Sequence, residues 1–86
     1  MRLDKYLKVS RIIKRRSIAK QLADEDRVLV NGLVAKPASN IELGDIIEIK
    51  FEHRHIKLKV THMSEKMYKN APNYYELLED VKVKAL

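Results

Sequence analysis

The chain has 86 residues, carrying 18 Lys and Arg against 12 Asp and Glu, and it contains no cysteine. That length fits one domain with a modest core and leaves no room for both a substrate pocket and the scaffold that would shape it. The cysteine count excludes disulfides, a thiol nucleophile and a zinc–cysteine site, in keeping with a cytoplasmic setting, and no apolar run approaches a bilayer span.

The first segment, Met1-Arg2-Leu3-Asp4-Lys5, has no apolar stretch behind it of the kind a secretory signal requires. Residues 2–8 read as a short helix, with Leu3 and Leu7 on one face and Arg2, Lys5 and Lys8 on another. Residues 9–16 form a connection in which Ile12 and Ile13 turn inward. A second helix is predicted over 17–25 with Ser17 as N-cap; Ile18, Ala19, Leu22 and Ala23 make its apolar stripe. Asp24-Glu25-Asp26 stops it, because acids oppose the dipole at a helix C-terminus.

From residue 27 the period changes from helix to strand. Val28-Leu29-Val30, then Asn31-Gly32, then Leu33 to Lys36 is a hairpin pattern, since Asn-Gly accepts the positive φ that a type I′ turn needs at both central positions. Residues 37–40 are a loop and Gly44-Asp45 a second turn. Ile46 to Phe51 and His55 to Thr61 read as strands, the latter with Ile56, Leu58 and Val60 on one face and Lys57 and Lys59 on the other. Residues 64–72 are polar and loop-like. Asn73-Tyr74-Tyr75-Glu76 has the form of a capping box and predicts a short terminal helix to about Asp80, with Tyr74 and Tyr75 packing it on the sheet. The expectation is an α+β domain with two N-terminal helices on a small antiparallel sheet. Its boundaries fall at 1–62 for the main module and 63–86 for a C-terminal extension bearing the short helix.

Charge is segregated. Residues 1–20 hold eight basic side chains and only Asp4 as an acid, a net +7, whereas residues 21–86 sum to −1. Charge serving solubility alone has no reason to gather in the first quarter of a chain; charge that docks a polyanion does.

Four pieces in order carry a resemblance: Arg2-Leu3-Asp4-Lys5-Tyr6-Leu7; Arg16 with Ala19 and Leu22; Val28-Leu29-Val30-Asn31-Gly32; and Gly44-Asp45-Ile46. Together they resemble the S4 RNA-binding domain family, with the match running to about residue 51. The resemblance implies an αL-type fold whose paired N-terminal helices present a basic face to structured RNA. With nothing large appended, the chain is similar to the stand-alone S4 proteins of the heat-shock protein 15 type. It is more similar to the shorter bacterial ribosome-associated quality-control subfamily, because the tail lacks a strong basic excess. Membership of that subfamily implies binding to ribosomal RNA of a large subunit that still carries peptidyl-tRNA. It also implies help to a protein that adds a C-terminal tail to the stalled chain. A role in ribosome assembly is the alternative reading.

On such a face arginine contributes most, because its planar fork grips a phosphate with two bonds or stacks on a base. Arg2, Arg11, Arg15 and Arg16 are therefore the first candidates. Lys5, Lys8, Lys14 and Lys20 add field and looser phosphate contacts, and Lys36, just past the hairpin, extends the patch. Recognition by shape and backbone is expected. Tyr6 reads as a boundary core residue rather than a stacking platform. Asp4 reads as a helix-dipole partner rather than an organiser of arginines. His53 and His55 stand two apart as a metal pair can, but only His62 and scattered carboxylates are available to complete a site, so no metal or cofactor is expected.

Other classes fit less well. The serines have no His and acid in a triad arrangement, and both glycines lie in turns rather than in a phosphate loop, so no enzyme is expected. A membrane-surface helix would need a broad apolar face with Trp or Phe, which residues 2–8 lack, so no membrane partner is expected. A DNA-binding helix-turn-helix would need a shorter, glycine-bearing turn. The chain is expected to work as a monomer.

Overall fold

The computed structural model describes residues 1–64 and 73–83. Helices α1 (Leu3–Val9) and α2 (Arg16–Asp24) precede five strands, β1 (Val28–Val30), β2 (Leu33–Val34), β3 (Ile46–Lys50), β4 (Arg54–Val60) and β5 (Tyr75–Lys82). The strands form one antiparallel sheet in the order β2-β1-β3-β4-β5. This is the α+β architecture the pattern predicts, with one correction at the C-terminus.

The apolar periodicity of α1 buries Leu3, Tyr6 and Leu7 completely, over the inward strand residues Val28, Ile47, Ile49, Leu58 and Val60. Helix α2 contributes Ala19 and Ala23, also fully buried. Side chains this small, one turn apart, let two short helices approach closely. Ile13 is buried and Ile12 half-buried, so the connection does tuck inward. Ile18 of the expected stripe is instead exposed, and Ser17 is not the N-cap of α2. Arg15 takes that position, without a side-chain cap.

Neither helix has a side-chain N-cap. The first amides of α1 bond instead to the loop after β2: Leu3 N–H donates to Ser39 O (2.8 Å) and Asp4 N–H to Pro37 O (3.1 Å). The orphan donors of a helix start are thereby satisfied by another part of the chain. Asn31 (φ 52°) and Gly32 (φ 82°) both take the left-handed region the hairpin requires. The Asn31 side chain also joins this turn to the next, donating to Asp45 Oδ1 and accepting from the Ile46 amide.

The predicted terminal helix is a strand. β5 pairs along β4 from Val60↔Tyr75 to Arg54↔Lys82, with a register shift at Lys57/Leu58 that leaves Leu78 as the extra residue. Tyr74 is nearly fully buried and edge-on to His62, with ring centroids 5.0 Å apart. The capping-box pattern lost to tertiary context, since β4 offered a long edge of unpaired backbone groups that this segment fills.

Candidate nucleic-acid interface

The geometry centres on Asp4. Packing of α1 places this carboxylate at 2% exposure, while two arginines from different elements reach it. Arg2 donates from Nε to Oδ1 (3.1 Å) and from Nη2 to Oδ2 (3.2 Å). Arg16, at the first turn of α2, lies with Nε 3.3 Å from Oδ2 and donates from Nη2 to Oδ1 (3.4 Å). The Lys5 amide adds a bond to Oδ1 (2.8 Å). Burial alone would push the Asp4 carboxyl up. The hydrogen bonds from Arg16, Arg2 and the Lys5 amide outweigh it and hold the group below its ordinary range.

This arrangement has a specific chemical consequence. Two guanidiniums converge on one carboxylate, so one positive charge stays uncompensated. The arginine side chains remain 50% and 46% exposed, so the rest of each fork faces solvent in a fixed orientation. Such a pre-oriented pair suits a phosphate, which accepts from several N–H groups at once. Asp4 therefore organises the arginines, the role that the sequence reading places second, and it also stands in the first turn of α1 as the helix-dipole reading expects.

The other predicted residues spread around this pair. Lys5 is half-buried on α1, and Lys8 is exposed in its last turn. Arg11, Lys14 and Arg15 are exposed along the connection, and Lys20 is exposed on α2. Arg11 has φ 64°, a left-handed conformation that glycine usually supplies just past a helix end, and its amide bonds to Lys8 O (2.9 Å). A non-glycine residue there costs backbone energy, which marks the position as one to test for function. Lys36 stands differently. Its ammonium is bonded to Asp26 Oδ1 at 2.7 Å, so its charge is already matched.

Tyr6 is fully buried and donates its hydroxyl to Tyr74 O (2.8 Å), which makes it core. Burial pushes its phenol well above the usual range. His55 lies on β4 and His53 before it, and among the described residues no group of three or more His, Cys, Asp or Glu could hold a metal ion. No helix among the described residues is long and apolar enough to cross a membrane.

Comparison with known proteins identifies the family and the fold. The family model of the S4 domain matches residues 1–47. A protein of Streptococcus pneumoniae named "RQC P-site tRNA stabilizing factor" is 45% identical over 84 residues, covering 96% of both chains. One of Bacillus subtilis with the same name is 40% identical over 84 residues, covering 96% of this chain and 98% of its own. Among solved structures, trimeric heat shock protein 15 of Vibrio cholerae superposes with a TM-score of 0.81 at 29% identity. That match covers 91% of this chain and 81% of the other.

Proposed function

Because the chain belongs to the S4 domain family and groups with the relatives named RQC P-site tRNA stabilizing factor, we propose that it docks its paired-helix face on ribosomal RNA of the large subunit. There it supports ribosome-associated quality control, holding peptidyl-tRNA in place while a partner protein adds a C-terminal tail to the stalled chain. It acts by binding, not by catalysis, as a single copy in the cytoplasm. Residues 1–62 form the RNA-binding module, and the extension 63–86 contributes the sheet's edge strand.

The observation that carries this reading is the Arg2–Asp4–Arg16 cluster. A buried carboxylate holds two half-exposed guanidiniums in one orientation, within the segment that concentrates the basic charge. Arg11, Arg15, Lys5, Lys8, Lys14 and Lys20 surround it with field and further phosphate contacts. Lys36 contributes less, because Asp26 already pairs it.

Deletion of the gene in its own host, with a reporter that stalls translation, tests the quality-control role. Tailing of the stalled reporter is expected to fall and to be restored by the wild-type gene but not by an Arg2→Ala/Arg16→Ala double variant. Unchanged tailing with an altered subunit profile would turn the reading toward assembly.

A further inference from the structure

The helices cover only part of the sheet's inner face. Along β3 the inward positions run from fully buried Ile47 and Ile49 to half-buried Phe51 just past the strand. Along β4 they run from buried Val60 and Leu58 through half-buried Ile56 to exposed Arg54. Where cover fails, an open pocket of about 490 Å³ remains. Its apolar surface comes from Ile12 of the helix connection, Phe51, Ile56, Tyr75 and Leu77. Leu77 is 49% exposed, an unusual position for leucine on an inward-facing strand site. The rim carries Arg11, His53 and Arg54, with Glu52 as its acid.

We propose that this pocket receives one unstacked base of the RNA docked on the basic face. The proposal rests on the RNA-binding reading above and deepens it. Three features favour this occupant. The pocket and the basic face share Arg11, so a strand whose phosphates lie along the connection brings its next base to the opening. Phe51 and Tyr75 offer aromatic surface, and base–aromatic stacking is how sequence-tolerant proteins hold single-stranded RNA. The rim also holds a planar group, the Arg54 guanidinium, whose charge Asp80 matches. Arg54 donates to both carboxylate oxygens of Asp80, which fixes its guanidinium plane at the mouth, where a planar cation can stack on a base. Glu52 supplies an acceptor for an exocyclic amine, so adenine, which has such an amine, is a suitable probe. The volume lies within the ~300–1,000 Å³ range of pockets that enclose small ligands.

Two experiments on the full chain test this. In the first, a fluorescently labelled oligoadenylate hexamer is compared with the same hexamer bearing a central abasic site. The intact strand is expected to bind about tenfold more tightly. The difference should vanish in Leu77→Trp, which fills the pocket, with thermal melting used to verify that the variant is folded. In the second, on the wild type alone, the methyl resonances of Ile12, Ile56 and Leu77 are expected to move on adding adenosine monophosphate and to stay in place with ribose 5-phosphate. Equal binding of the two hexamers, or a difference that persists in folded Leu77→Trp, would overturn the base pocket while leaving the basic face intact. Failure of both hexamers and of isolated large subunits to bind would overturn the RNA-binding reading and the pocket with it.

Discussion

Replacing Asp4 by asparagine separates the organisation of the two arginines from their charge. The variant keeps Arg2 and Arg16 and has a higher net charge, so a simple electrostatic picture expects tighter RNA binding. The geometry of the pair leads to the opposite expectation. Without the carboxylate the guanidiniums rotate freely, and affinity falls despite the added charge, as a filter-binding titration on large subunits would register. Stability should drop by about 2 kcal/mol in a urea melt, the usual scale for losing hydrogen bonds to a buried charged group. Because the folded-state carboxyl is held below its ordinary value of 3.8, its contribution is present above that pH and is lost as pH falls through the lower folded value. Wild type and Asp4→Asn should therefore converge in stability only once the pH has fallen below that lowered folded-state value. Arg11 gives a second prediction at this scale. Its left-handed backbone suits glycine, so Arg11→Gly is expected to raise stability by about 1 kcal/mol while weakening RNA binding. A variant that loses both would make Arg11 structural. The arginines themselves were legible in the sequence, since their number and clustering require no fold to be seen. The role of Asp4 was not, because only the packing of α1 against the rest of the fold buries its carboxylate between residues 2 and 16.

At the scale of elements, the first four strands and both helices followed from periodicity and turn chemistry, and Asn31-Gly32 took the backbone expected of it. β5 did not follow. A bulge at Leu78 puts two leucines in succession and breaks the alternation by which a strand is read, and Glu76 three residues after Asn73 imitates a helix start. The compensating signals are cross-strand. Lys57 faces Glu79, Lys59 faces Glu76, and Arg54 pairs with Asp80, none of which is visible until β4 and β5 are adjacent. The hydroxyl of Tyr6 then ties α1 to the start of β5 through Tyr74 O. Tyr6→Phe is expected to cost about 1 kcal/mol in thermal or urea unfolding. The loss is modest because the amides of Thr61 and His62 still satisfy the same carbonyl. A cost several times larger would mean that the bond holds β5 in place rather than merely adding to it.

Across the whole molecule, the net +7 of residues 1–20 against −1 for the rest becomes a spatial asymmetry, because both helices and their connection carry the basic segment on one side of the sheet. Binding to a polyanion through such a face releases counterions and weakens steeply with salt. Lys14→Gln/Lys20→Gln, which leaves the Arg2–Asp4–Arg16 cluster untouched, is expected to lower the slope of log affinity against log salt by roughly one to two and to leave the fold unchanged. The cluster itself is expected to govern docking more sharply. The most direct test is to sediment the tagged protein from a cell lysate through a sucrose gradient at low and moderate salt, beside the Arg2→Ala/Arg16→Ala double variant. The wild type should travel with free large subunits, and the folded double variant should stay at the top. Wild-type protein remaining at the top in both salts, or a double variant that still travels with the subunits, would contradict the assignment of this face as the ribosome-docking surface.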